Sequence, residues 1–283
     1  MQIGTVRVRP LLCSFASMLS LFQRKPLFDE DTTQWLWESY AWALKHFNRE
    51  QFFSHAILVT PSKAHFPDQA ENHIELANQI LLRVKHYAGM ENWPTQLIVR
   101  YDEDQPLLPS PSISTQGQLR GDNNNIQIDG EGNSLPIYYQ PDQAPEPNVL
   151  IAMMAQSLAS PLVHLAQELP PGGRENLGPA TDLVTIFMGF GIFMSNTAFN
   201  YSIGGCGSCK PRGVQMLGDL TEHQMTYALA LFCALKEVPK QDVLPHLKNT
   251  LRPFFKKALK EISARREDIA SLKAGRQIQR GRI

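Results

Sequence analysis

The chain has 283 residues, of which 43% are hydrophobic and 19% are charged, and this composition supports a folded core and excludes an intrinsically disordered chain. The basic and the acidic residues both number 27, so the formal charge is zero and the basic excess of a typical nucleic-acid-binding protein is absent. Four cysteines in so long a chain exclude a secreted disulfide scaffold and favour reduced thiols in the cytoplasm.

The first 17 residues are predicted to be a dispensable leader. Arg7 and Arg9 precede an apolar stretch over 11–22, which loosely resembles a signal peptide but is not followed by a typical cleavage site. Met18 is an alternative start, because the sequence from that residue opens like an ordinary cytosolic protein. Residues 1–17 are therefore expected to contribute little to the fold, and export is not expected.

The N-terminal half, residues 18–140, is predicted to contain a small sheet flanked by helices. Segments with apolar residues at helical spacing are followed by short apolar runs of strand length, and a polar stretch rich in Pro, Gly and Asn provides turns. The predicted elements are helices over 29–48 and 69–87 and strands over 56–60, 96–101, 126–128 and 135–139.

The C-terminal half, residues 141–264, is predicted to be mainly helical. The predicted elements are a helix that begins at Pro147, kinks at Pro161 and continues to the Pro-Pro-Gly-Gly sequence over 170–173, an apolar helix over 181–199, a helix capped by Thr221 and Gln224, and a last helix over 242–265 that kinks at Pro253. After these helices, residues 265–283 form a basic tail that is predicted to be frayed.

The apolar stretch over 183–199 carries no charged residue. A membrane-spanning helix needs about 20 apolar residues, and this stretch is shorter and contains Thr185, Asn196 and two glycines. It is therefore predicted to be a buried core helix, and no membrane association is expected.

Three segments of the C-terminal half carry a resemblance to a known family. Residues 150–160 read LIAMMAQSLAS, residues 181–191 read TDLVTIFMGFG, and residues 227–232 read YALALF. Together they resemble a family of largely uncharacterised bacterial proteins with zincin-like helices, in which Ala-His-Glu-x-x-His is followed by Thr-Asp-Leu and a Gly-Phe-Gly apolar helix. The resemblance covers residues 147–260 and implies an α+β, zincin-like fold.

In that pattern, two histidines four residues apart lie on one helical face and hold zinc, and the adjacent glutamate acts as a general base toward the metal-bound water. Carried over residue by residue, the first histidine falls on Gln156, the glutamate on Ser157 and the second histidine on Ser160. Asp182 stands where a third ligand is expected. Because an amide and two hydroxyls do not replace two imidazoles and a carboxylate, the resemblance implies a vestigial site with no catalytic residue and no cofactor.

The resulting hypothesis is a non-catalytic domain that acts as a binding or scaffold protein. The sequence identifies no partner, although such a role implies a protein. Without the resemblance, Gln156, Ser157 and Ser160 are interpreted as polar groups on a partly buried helix. Asp182 is then a residue near a helix N-terminus, where its charge is favourable.

A shifted metal site is the enzymatic alternative. Ser160, His164 and Glu168 follow one another at four-residue intervals, so His164 and Glu168 share a helical face. With Asp182 they would form a one-histidine, two-carboxylate site of a metal-dependent hydrolase. Pro161 disturbs this turn, and a histidine beside apolar residues is more often a surface or packed side chain.

Cys206 and Cys209 form a Cys-x-x-Cys pair in a glycine-rich loop, which supplies half of a structural zinc site. A closed site would need further ligands, for which Cys233, His223 and His246 are the nearest candidates in the sequence. Three interpretations stay open from the sequence: free thiols, a zinc-stabilised interaction module and a reversible disulfide.

Overall fold

The computed structural model describes residues 26–101, 107–122, 124–141, 146–200, 215–216 and 218–276. The predicted leader over 1–17 lies outside these residues, as do Cys206 and Cys209. The described chain is mainly helical with small two-stranded sheets, which confirms the coarse prediction of an α+β protein.

Helices make up most of the described chain. They are α1 (Glu30–His46), α2 (His73–Ala88), α3 (Pro147–Leu165), α4 (Leu177–Thr185), α5 (Gly191–Thr197), α6 (Glu222–Lys236), α7 (Lys240–Val243), α8 (Arg252–Ala264) and α9 (Arg266–Ala274). Local sequence explains where two of them begin. Asp29 caps α1 by accepting the Thr32 N–H at 2.8 Å, and the predicted capping box of Thr221 and Gln224 is present at the start of α6.

The strands pair in twos. β1 (Thr95–Val99) is parallel to β4 (Leu135–Tyr139), and the hairpin of β2 (Ser112–Gly117) and β3 (Asn124–Asp129) lies between them in the chain. The two-residue strands β5 (Phe199–Asn200) and β6 (Gln215–Met216) pair antiparallel. Three of the four predicted strands therefore form, with β4 at its predicted bounds.

The centre of the core is the apolar segment of α4, a π-helical turn over Ile186–Phe190, and α5. Every residue from Ala180 to Ser195 is buried, which confirms the predicted core helix. Two continuous helical stretches, Pro147–Leu165 and Gly173–Thr197, are long and apolar enough to span a membrane by length and composition alone. Of the most apolar 18 residues in the second stretch, 83% are buried inside the protein, as is typical of a core helix.

A buried arginine joins the C-terminal ends of α1 and α2. Arg120 is fully buried, and its guanidinium donates to the carbonyls of Ala88 at 2.7 Å and Phe47 at 3.4 Å. These carbonyls carry the partial negative charge of two helix C-termini, which offsets the buried positive charge. Burial lowers the pKa of Arg120 to about 9.

Two predicted elements are wrong. Residues 56–60 form no strand in the described chain, and the Val59 N–H donates instead to the carbonyl of Gly189 at 3.0 Å. The predicted helix over 242–265 is interrupted, and Pro253 lies in the first turn of α8 rather than at a kink. Proline suits a first helical turn because the missing N–H would have no partner there.

Two further predictions need correction at helix ends. The helix that begins at Pro147 ends at Leu165, several residues before the Pro-Pro-Gly-Gly sequence. The tail predicted to be frayed from residue 265 instead continues into α9, where Leu272 is buried and its carbonyl accepts from Arg49 at 2.9 Å. The apolar spacing within α9 supplies this contact with the core.

Candidate functional site

The packing of α3 against α4 brings two of the sequence-predicted site residues together. Gln156 lies on α3 and Asp182 on α4, and the Gln156 Nε2 donates to the Asp182 Oδ1 at 2.6 Å. Gln156 is half-buried and Asp182 is fully buried. Gln156 and Asp182, which are 26 residues apart in the sequence, are therefore in direct contact.

The other carboxylate oxygen of Asp182 holds the segment that leads into α6. Its Oδ2 accepts the backbone N–H groups of Asp219 at 2.6 Å and Leu220 at 2.8 Å. One side chain therefore joins α3, α4 and the N-terminus of α6. Because both oxygens already accept hydrogen bonds in a closed environment, Asp182 acts as a structural acceptor in this arrangement.

Two glycines allow this close approach. Gly218 has a φ of +94°, and a Cβ on it would lie 2.6 Å from the Asp182 carboxylate. Its backbone can therefore turn the next two N–H groups toward the acid. Gly178 on α4 makes room for the Asp219 carboxylate, which a Cβ there would overlap.

Burial raises the pKa of Asp182 to about 6. The N–H groups of Leu220 and Asp219 and the amide of Gln156 act in the opposite direction, because they stabilise the charged form. The nearby Asp219 carboxylate raises the pKa further. The network therefore titrates close to neutral pH, although no histidine takes part in it.

Asp182 is expected to make the free energy of unfolding fall as the pH rises. The ordinary pKa of 3.8 applies to the unfolded chain and a pKa of about 6 to the folded chain, so the folded state binds the proton more tightly. Its contribution is fully present below pH 3.8 and is lost as the pH passes through about 6, amounting to ~3 kcal/mol. When Oδ1 is protonated, Gln156 can accept through Oε1 after its amide turns over.

The measurement is urea unfolding of the unmodified protein and of Asp182→Asn across this pH range. The asparagine variant cannot titrate at position 182, so the difference between the two proteins isolates this group. A difference that does not change with pH would contradict the expected linkage.

Neither Ser157 nor Ser160 donates a hydrogen bond to Asp182, whose partners in the described chain are Gln156, Asp219 and Leu220. The hydroxyl of Ser157 donates to the carbonyl of Met153 at 2.8 Å, within its own helix. The carbonyl of Ser160 accepts from the His164 Nδ1 at 2.8 Å. The described residues contain no group of three His, Cys, Asp or Glu side chains placed to hold a metal. The side chains at these positions therefore do not fit a zinc ion.

The structure also separates the residues of the shifted site. His164 is exposed, and Glu168 forms an ion pair with the Lys45 Nζ at 2.6 Å on the protein surface. This lysine lowers the pKa of Glu168. Asp182 is buried elsewhere with its own partners, so the three residues do not form one site.

The predicted cysteine site cannot be placed, because Cys206 and Cys209 lie outside the described residues. Cys233, one of the further ligands considered, is buried in α6. Burial raises the pKa of its thiol, so it is neither a reactive thiol nor an accessible ligand in this structure.

A groove of about 1540 Å³ is a feature that the sequence did not reveal. It lies between α1, the loop after α3 and the end of α9, and its lining includes Trp42, Lys45, Arg49, Glu50, Glu168 and Leu169. Four separate parts of the chain contribute to it, since Gln118 also lines it, so no local motif marks it. Its lining carries both basic and acidic side chains.

The chain matches no family model, no curated protein and no solved structure. The geometry of α3, α4 and the start of α6 is therefore the main guide to function.

Proposed function

We propose that this chain is a non-catalytic, zincin-like domain of a cytoplasmic protein, and that it acts as a binding or scaffold protein. The observation that carries the proposal is the closed hydrogen-bond network of Asp182. The residue at the expected third-ligand position accepts from Gln156, Asp219 and Leu220 and is fully buried. In this proposal, the network replaces the metal site of the resembling family and holds α3, α4 and the start of α6 together.

The chemistry of the other positions supports the loss of catalysis. A neutral amide at Gln156 is a poor zinc ligand, and Ser157 has no carboxylate to act as a general base. The hydroxyl of Ser157 is directed to its own helix, away from a substrate. Activation of a water molecule by the usual zincin route therefore lacks both the metal ligands and the base.

The groove beside α1 supports a binding role. Its lining combines Glu38, Glu50 and Glu168 with Lys45, Arg49 and Arg276, so it is close to charge balance. A nucleic-acid-binding surface would need a basic excess, whereas a charge-balanced polar groove with apolar side chains suits a polypeptide. At its rim, Leu169 is 54% exposed and provides an apolar contact.

The test is a peptidase assay on the purified chain with an unstructured protein substrate. It is run as isolated, with added zinc and with a chelator. No hydrolysis above the buffer control is expected in any of the three conditions, because neither a ligand set nor a base is present. Chelator-sensitive hydrolysis that is lost in Asp182→Asn would overturn the proposal.

A further inference from the structure

The parallel pair of β1 and β4 uses only one edge of each strand. The Leu135 N–H donates to the Pro94 carbonyl at 2.9 Å, and the Arg100 N–H donates to the Tyr139 carbonyl at 2.8 Å. In a parallel ladder with the observed register, these bonds direct alternate backbone groups of each strand toward its partner and the others outward. The outward edge of β1 is therefore formed by Thr95, Leu97 and Val99.

This outer edge of β1 is unpaired among the residues that the structure describes. The outward N–H and C=O groups of Thr95, Leu97 and Val99 form no hydrogen bond there within the described chain, and each residue is half-buried. Leu97 and Val99 pack against the core and stay partly exposed. Natural proteins seldom leave such an edge without a charge, a proline or a covering segment, and a two-stranded sheet is marginal by itself.

The opposite edge of the sheet is protected. The outward groups of β4 belong to Pro136 and Tyr138, and a proline has no N–H to offer a further strand. The Tyr138 hydroxyl accepts the N–H of Leu108 at 2.7 Å, which brings the chain after β1 close to β4. The two edges therefore differ, and only the edge of β1 is suited to accept another strand.

We propose that the outer edge of β1 pairs with the same edge of a second copy of this chain, in an antiparallel arrangement about a two-fold axis at Leu97. In this register Leu97 faces Leu97 of the second copy and Thr95 faces Val99. Thr95, Leu97 and Val99 each donate and accept one hydrogen bond across the axis, because their N–H and C=O groups both point outward. The sheet becomes four-stranded, with β4 of each copy at its ends.

The side chains of β1 agree with self-pairing. Arg100 faces Pro94 of the second copy and Gln96 faces Ile98, so no two charges of the same sign are opposed. Leu97 and Val99 are partly exposed in the single chain, and pairing would reduce this exposed apolar surface. An isologous contact of this kind is closed, so it produces a dimer and not a fibre.

The test combines sedimentation velocity with amide hydrogen exchange measured residue by residue. A monomer–dimer equilibrium is expected, and the N–H groups of Thr95, Leu97 and Val99 should exchange more slowly as the protein concentration rises. Gln96 and Ile98 provide the internal control, since their N–H groups bond to β4 in either state. Their exchange should not depend on concentration.

Leu97→Lys places two ammonium groups opposite each other and should raise the dissociation constant of the dimer about tenfold. Gln96→Lys adds the same charge to the same strand, but opposite an isoleucine, and should leave the dissociation constant of the dimer nearly unchanged. Three results would overturn the proposal: a monomer at every concentration, slow exchange of the three outward amides in the monomer, or equal weakening by both lysine variants. Exchange in the unmodified protein remains decisive if Leu97→Lys fails to fold.

Discussion

Replacing Gly189 with alanine is expected to destabilise the protein by roughly 3 kcal/mol or more, since two separate effects combine at this position. Gly189 has a φ of +109° inside the π-helical turn between α4 and α5, a conformation that residues with a Cβ rarely adopt. An added Cβ would also overlap the backbone carbonyl oxygen of Ile57. Backbone atoms cannot move aside as a flexible side chain can.

The substitution would also disturb a contact between distant segments. The carbonyl of Gly189 accepts the Val59 N–H at 3.0 Å, and this bond holds the extended segment against the interrupted core helix. Loss of this bond would leave a buried donor and a buried acceptor without partners. Urea unfolding of Gly189→Ala measures the combined cost.

Gly173→Ala is the matched control. Gly173 also has a positive φ of +81°, but a Cβ on it would meet no atom within 4 Å. The free energy of unfolding lost in Gly173→Ala should therefore reflect backbone strain alone and amount to about 1 kcal/mol. Equal losses in the two variants would contradict the close packing of residues 56–60 against Gly189.

Asp182→Ala is expected to lower the free energy of unfolding by ~3 kcal/mol at pH 5, through loss of the acceptor for three hydrogen bonds. The donors left behind are the amide of Gln156 and the N–H groups of Asp219 and Leu220, which lie in a buried or partly buried region. The loss should shrink as the pH rises above about 6, because the charged form of the buried carboxyl contributes less to stability.

Asp182→Asn is the control for this variant. Asparagine keeps an oxygen for the two backbone N–H groups and offers its own amide to Gln156, whose side chain can turn its oxygen toward it. This variant should keep the stability of the unmodified protein to within about 1 kcal/mol at pH 5. Similar losses in the alanine and asparagine variants would show that the network does not hold α3, α4 and α6 together.

The sequence predicted elements whose signals are local. α1 has an acidic cap and a regular apolar face, α6 has a complete capping box, and the strand over 135–139 alternates in burial as its pattern indicates. The segment over 56–60 has an apolar strand composition, but its backbone partner is the Gly189 carbonyl, which becomes available only because the core helix is interrupted. Tertiary context of that kind has no signal in a local window.

The candidate site was partly accessible from the sequence. The resemblance placed Gln156 and Asp182 together, and the two side chains do meet. The capture of the N–H groups of Asp219 and Leu220 could not be predicted, because it depends on the positive φ of Gly218 and on the packing of α4 beside α6. The groove was also hidden, since its walls come from four separate parts of the chain.

Calorimetric titration with zinc tests most directly whether Gln156 and Asp182 mark a lost metal site. All proteins carry Cys206→Ser and Cys209→Ser, so that the cysteine pair cannot contribute. The otherwise unmodified chain should take up no zinc. The variant with Gln156→His, Ser157→Glu and Ser160→His should bind zinc stoichiometrically. The same variant with Asp182→Asn as a fourth substitution should no longer bind it. Two results would contradict the account. One is zinc uptake by the otherwise unmodified chain that is abolished by Asp182→Asn, and the other is a variant with Gln156→His, Ser157→Glu and Ser160→His that folds but does not bind zinc.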